Sequence, residues 1–173
     1  LYEDQAKPAE AEQAYRQALT LQPQFVPAYV NLAQLLSSQR RDDEANALYL
    51  KGIEMVPDSA TLYHALGLSQ VRQQKVEAAL VSLERAAQMD EFNQRYQYVY
   101  AVALQSLGQL DAALEVLQSV VARMPNDIET LYALSTFNRD AGRRDPALEY
   151  ALKLQALLPN DVNIKQLVES LQP

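Results

Sequence analysis

Three unrelated kinds of residue in this chain obey one period of 34, and that regularity constrains the fold more than any other feature. Pro23 and Pro57 lie 34 apart, as do Pro125 and Pro159; the 68 residues between Pro57 and Pro125 are two further steps, with Glu91 at the midpoint. Ala11, Ala45, Ala79, Ala113 and Ala147 keep the same step without a gap, and so do Leu32, Leu66, Tyr100 and Leu134. Chance does not readily give three series one period and fixed offsets. The chain is therefore an array of similar units, each too small to bury its hydrophobic face alone.

Every period has the same interior. Between residues 60 and 93, Tyr63, Leu66, Gly67 and Gln70 stand at helical spacing, and Gln73 to Lys75 form a polar break. Ala79, Leu80, Leu83, Ala86 and Ala87 then recur at three and four, one face of a second helix. Gly108 and Gly142 fall in the corresponding breaks, where a left-handed residue suits a helix end; Arg40 and Gln74 hold that place in the other periods. Asp43, Glu77, Asp111 and Asp145 recur in the first turn of the second helix, where a carboxylate meets the positive end of the helix dipole. Pro146 suits that turn as well. Asp58-Ser59, Asn126-Asp127 and Asn160-Asp161 supply capping residues before the next first helix. The repeated alanine has a steric reason, because paired antiparallel helices approach closely only where side chains are small. Ala33, Gly67, Ala101 and Ser135 are the matching small positions on the first helices. A large or charged side chain at Ala79 or Ala113 is expected to cost about 1–3 kcal/mol through overpacking alone.

The 173 residues suffice for a substantial core, and a composition 49% hydrophobic and 21% charged argues against disorder. Only 4 glycines and 8 prolines interrupt the length, which favours helices. Nucleic-acid affinity rests on lysine and arginine meeting phosphates, so a net charge of −7 speaks against such a partner and against an anionic membrane surface. With no cysteine, disulfides, thiolate metal sites and cysteine nucleophiles are excluded together. No apolar stretch approaches the length of a membrane span. The chain starts at Leu1 without an initiator methionine, and we expect the natural protein to continue upstream with further repeats or another domain.

Taken in register, these residues resemble the tetratricopeptide repeat family. One repeat reads Tyr29, Leu32, Ala33, Leu36, Ala45, Tyr49, Pro57, and the next reads Tyr63, Leu66, Gly67, Ala79, Leu83, Ala86. Gln97 and Leu131 depart from the pattern at aromatic positions, Glu91 at a proline position, and Arg40 and Gln74 at turn glycines. The resemblance implies an all-α fold, a right-handed superhelical α-solenoid of antiparallel helix–turn–helix repeats. Residues 1–173 are then expected to form a single domain with four full repeats at 26–59, 60–93, 94–127 and 128–161. Residues 1–25 are a partial repeat, in which Pro8 to Leu21 is a second-type helix whose partner is reduced to Leu1–Lys7. In residues 162–173 the stripe Ile164, Leu167, Val168 and Leu171, opposite Lys165, Gln166 and Glu169, reads as a capping helix that shields the last hydrophobic face.

Nothing in the sequence assembles chemistry. His64 is the only histidine, has no second ligand pattern around it and is read as a surface or groove residue. Asp90-Glu91-Phe92-Asn93 lacks the glycine and ligand ladder of a calcium loop and reads as an inter-repeat turn. There is no phosphate-binding glycine loop and no carboxylate pair set apart as acid and base. The expectation is a protein that is not an enzyme, with no catalytic residue, no metal site and no cofactor.

The resemblance instead implies a protein-interaction scaffold whose first helices line a concave face that binds a partner's peptide or helix. Carried over residue by residue, the lining is Val30 and Gln34; then His64, Leu68 and Arg72; then Tyr98, Val102 and Gln105; then Tyr132, Thr136 and Arg139. Pro27, Ser37, Thr61, Val71, Arg95 and Glu129 stand beside them. The row through His64, Tyr98 and Tyr132 is the expected centre, since aromatic and arginine side chains are enriched at binding hot spots. The alternative, that these tyrosines only pack between helices, stays open. The lysines that let some family members grip a carboxyl terminus are absent from these rows. Two further readings remain: the accessory C-terminal part of a larger enzyme or redox protein, and self-association through the N-terminal end. The partner is expected to be a protein or peptide, with no nucleic acid and no membrane insertion. The compartment stays open, bacterial cytoplasm and periplasm alike.

Overall fold

The computed structural model describes residues 7–172. The expected remnant of a first helix at residues 1–6 lies outside the described residues. Among those described there are ten helices and no strand. Five begin on the 34-residue step at 26, 60, 94, 128 and 162: α2 (Val26–Ser38), α4 (Ala60–Arg72), α6 (Gln94–Ser106), α8 (Ile128–Asp140) and α10 (Val162–Leu171). The other five begin on the same step at 8, 42, 76, 110 and 144: α1 (Pro8–Leu21), α3 (Asp42–Met55), α5 (Val76–Met89), α7 (Leu110–Arg123) and α9 (Arg144–Leu157). The fold is all-α and built of helix–turn–helix repeats.

Two connectors alternate, each with its own chemistry. Between a first and a second helix the chain makes a Schellman turn. Arg41 N–H donates to Leu36 O at 3.0 Å and Arg40 N–H to Ser37 O at 2.9 Å, while Arg40 itself is left-handed at φ 61°. The same pair of bonds recurs at Lys75 to Gln70 and Gln74 to Val71, at Gln109 to Leu104 and Gly108 to Gln105, and at Arg143 to Asn138 and Gly142 to Arg139. The left-handed residue is Gln74 (59°), Gly108 (74°) and Gly142 (73°) in turn. Arg40 and Gln74 thus keep the glycine conformation without being glycine. Between repeats, a side-chain cap opens the next first helix from α4 onward, whereas α2 follows Phe25 without one. Ser59 accepts from Leu62 N–H, Asn93 from Tyr96 N–H, Asp127 from Thr130 N–H, and Asp161 from both Asn163 and Ile164 N–H.

The helices form two compact units, divided between Asp90 and Glu91. In the first, α2 packs on α1, α3 and α4, and α4 also packs on α3 and α5. Its core is Tyr29, Leu32, Ala33, Leu36, Ala45, Tyr49, Leu62, Ala65 and Leu66, all buried. A polar knot closes the α3–α4 contact: the Asn46 and Gln73 amides exchange bonds at 2.9 and 3.1 Å, and the buried Ser69 hydroxyl donates to Asn46 Oδ1 at 3.1 Å. Each buried polar atom there gains a partner, which offsets the cost of leaving water. Arg41 ties the start of α3 to α1, donating to Glu44 at 2.7 Å and to Glu12 at 2.9 Å.

In the second unit α6, α7, α8, α9 and α10 pack in succession, and α6 also touches α8. Leu131, Leu154 and Ile164 form one cluster; Ala147, Ala151, Leu167, Val168 and Leu171 form another. The apolar stripe of α10 is buried along its length. Arg144 donates to Leu171 O at 2.7 Å and to Gln172 O, supplying partners to carbonyls that the helix end leaves over. In both units the repeated alanines of the full repeats, Ala45, Ala79, Ala113 and Ala147, are fully buried, while Ala11 on α1 is half-buried. On α4, Gly67 faces Leu83 of α5 and has room for hydrogen only, since a Cβ there would stand 2.7 Å from Leu83 Cγ and Cδ2.

Candidate functional site

The second unit carries an open groove of about 420 Å³ across its first-type helices. Tyr98 comes from α6, Ile128, Glu129 and Tyr132 from α8, Asn163 and Ile164 from α10, and Leu158 and Asp161 from the connector before α10. The floor is apolar: Ile164 belongs to the Leu131–Leu154 cluster, and Leu158 packs against it. Above it Ile128 is 43% and Tyr132 47% exposed, so the groove presents apolar surface that the described residues do not cover. Two tyrosines 34 residues apart face one groove because α6 and α8 are equivalent helices packed side by side. Two carboxylates accompany them. Glu129 is exposed in the first turn of α8, and Asp161 is held in place by capping α10 at 2.8 and 3.1 Å through Oδ1.

The other candidates from the sequence are distributed differently. Val102, Gln105, Thr136 and Arg139 do not line this groove. Val102 is partly exposed; the Thr136 hydroxyl donates to Tyr132 O at 2.9 Å, and Arg139 pairs with Asp140. In the first unit, Val30 packs against the hydrophobic core, Gln34 is exposed and Leu68 is half-buried. Arg72 is exposed, yet its charge opposes the rise that burial imposes on the pKa of the buried Tyr49. His64 is buried, with 8% exposure, so its reading as a surface residue is corrected. It follows Tyr63 and precedes Ala65 and Leu66 on the crowded part of α4, where six residues are buried. Sequence reasoning missed Ile128, Leu158, Asp161, Asn163 and Ile164. The 34-residue step from Glu129 reaches Asn163, a signal that α10 continues the row of first helices at its start.

A second hollow, of about 640 Å³, lies in the first unit between α1 and α3 over α2, with Leu19, Leu48 and Met55 on its walls and Arg16, Glu44 and Lys51 at its mouth. The Arg41 bridge spans its two walls. That guanidinium holds the Glu12 and Glu44 carboxyls below the usual carboxylate range. Among the described residues no group of histidine, cysteine and carboxylate side chains could hold a metal ion, and no helix is long and apolar enough to cross a membrane.

The family model for the tetratricopeptide repeat matches residues 3–67 and 70–136. The human (Homo sapiens) protein O-mannosyl-transferase TMTC3 is 26% identical over 135 residues, 76% of this chain and 15% of that protein. The Mus musculus form is 36% identical over 59 residues, 34% of this chain and 6% of that protein. The chain therefore spans only a small part of the length of these relatives. Among solved structures, YrrB, a tetratricopeptide repeat protein with an unusual peptide-binding site, superposes with TM-score 0.74 at 25% identity, over 92% of this chain and 82% of that one. MamA gives 0.72 at 22% identity, over 84% and 85% of the two chains. A tetratricopeptide repeat protein of Parabacteroides merdae gives 0.79 at 15% identity, over 97% and 67%. The last two likenesses are of fold.

Proposed function

The chain belongs to the tetratricopeptide repeat family, whose fold serves as a protein–protein interaction scaffold, and from that premise we propose that it captures a peptide or helix of a partner protein on the face lined by its first helices. The observation that carries this reading is the groove of the second unit, where Tyr98 and Tyr132 stand over an apolar floor that none of the described residues covers. Tyrosine offers a large contact area with few rotatable bonds, which is why it dominates binding energy where it meets a partner. The unusual peptide-binding site of YrrB, the solved relative at 25% identity, supports the same reading. Val102, Gln105, Thr136 and Arg139 extend the face along α6 and α8, and Val30, Gln34, Leu68 and Arg72 are its counterparts in the first unit. His64, at 8% exposure, is the buried member of that row.

The test uses peptides selected from a random display library panned on the whole chain. Tyr132→Ala is expected to weaken the selected peptides by about thirtyfold, the scale of a hot-spot tyrosine, with helix content by circular dichroism unchanged. Undiminished affinity in that variant would move the site elsewhere.

A second reading has its own support. The human relative is a transferase of which this chain spans 15%, which favours an accessory repeat region that recruits a partner or substrate to a larger enzyme. Sequencing the gene beyond both ends of the chain separates the two: a catalytic domain in the same reading frame selects this reading, and repeats alone select the scaffold.

A further inference from the structure

We propose that the groove between Tyr98 and Asp161 takes a segment of the partner that presents a lysine or arginine next to an apolar side chain. This names the partner chemistry of the face proposed above and rests on that reading.

The argument starts from what the groove offers and lacks. Its lining holds two carboxylates, Glu129 and Asp161, and no cationic side chain. Glu129 is exposed and forms no ion pair with any described residue. Asp161 uses Oδ1 for the backbone of α10, which leaves Oδ2 outside the cap. The same bonds satisfy the start of α10, so this helix end is not left open for an anion. The tyrosine rings add to the selection: the negative face of an aromatic ring attracts ammonium and guanidinium groups. The cations nearest in sequence do not satisfy the site from within. Arg95, one repeat before Glu129, and Lys165, on α10, neither line the groove nor pair with its carboxylates, and Arg139 is paired with Asp140. The apolar floor, with Ile128 43% exposed beside it, asks for a hydrophobic neighbour. A chain of net charge −7 also draws basic segments toward it from a distance.

The experiment pans the same random-peptide library and measures the selected peptides by fluorescence anisotropy on the whole chain. The expected pool carries lysine or arginine beside an apolar residue, and its binding weakens with salt. Glu129→Gln is expected to weaken these peptides by about threefold, the scale of an exposed ion pair. Replacing the peptide's basic residue with norleucine should cost about tenfold, since it removes the cation over the aromatic face as well as the ion pair, and should remove the sensitivity to Glu129→Gln. Glu169→Gln, an equal change of charge at an exposed site elsewhere on α10, should leave affinity unchanged. Pools rich in acidic or purely apolar peptides would overturn the inference. So would basic peptides indifferent to Glu129→Gln yet weakened by Tyr132→Ala, an outcome that keeps the groove and rejects its charge preference. Peptides indifferent to Tyr132→Ala, or no selected peptide at all, would remove the groove reading and this inference with it.

Discussion

The four left-handed turn residues make an internal experiment in which equivalent positions should respond with opposite signs. Arg40, Gln74, Gly108 and Gly142 hold φ between 59° and 74° in the same Schellman geometry. A side chain with a Cβ loses about 1–2 kcal/mol in this conformation, whereas glycine loses about 0.4–1 kcal/mol more chain entropy on folding than alanine. The difference leaves roughly 1 kcal/mol in favour of glycine. No other contribution intrudes, because a Cβ built on Gly108 or Gly142 meets no atom within 4 Å, and Gln74 is exposed at its turn. Gln74→Gly should therefore stabilise by about 1 kcal/mol and Gly108→Ala destabilise by about the same, each moving the melting temperature by about 2–4 °C. The assay is urea unfolding of the whole chain followed by circular dichroism, with the slope of the transition checked for constancy. The two substitutions fall in different compact units, so each should shift the transition of its own unit if two transitions resolve. If Gln74→Gly destabilised the chain, or Gly108→Ala left it unchanged, the cost would not lie in the backbone conformation and the reasoning would fail.

Three further outcomes follow from the packing. Gly67→Ala should destabilise by about 1 kcal/mol net, because crowding against Leu83 outweighs roughly 1 kcal/mol of gained helix propensity; a more stable variant in urea would show that α4 and α5 can move apart cheaply. Ala113→Glu places a carboxylate at a fully buried point and should cost about 3 kcal/mol or more, read as a fall in melting temperature, and an unchanged value would refute the helix-pair assignment. Glu12 and Glu44 titrate below their unfolded values because Arg41 bonds them, so their contribution is present above the unfolded carboxylate range and lost as pH falls through the folded pKa. The urea midpoint should thus drop as pH falls below about 4, and Arg41→Gln should flatten that drop; an equal slope in the variant would remove Arg41 as its source.

Much of the fold could be read from residue spacing. The proline, alanine and leucine series place both kinds of helix, and the caps are the serine, asparagine and aspartate residues that precede α4, α6, α8 and α10. The site was legible only in part. Tyr98 and Tyr132 could be placed together because they share a register position, and the groove lies over both. His64 shares that register too, yet it is buried, because position within a repeat sets direction and the neighbouring side chains set how much of it reaches solvent. Arg72 shows a related limit, since its charge acts on the buried Tyr49 of α3. Leu158, Asp161 and Ile164 were passed over since their obvious tasks are connecting, capping and filling the core, tasks that do not preclude facing a groove.

What the sequence determines by itself is periodic: which residues are small, where helices begin, and where the chain turns back. Local sterics and hydrogen bonding act over a few residues, so they are written wherever the pattern repeats, and even Arg40 and Gln74 adopt the turn that the surrounding helices demand. What only the tertiary structure decided is exposure. Whether Tyr132 is open or His64 closed, and whether Glu129 and Asp161 share a groove, depends on side chains packed from other helices. Burial is a property of such neighbours, which no single repeat contains.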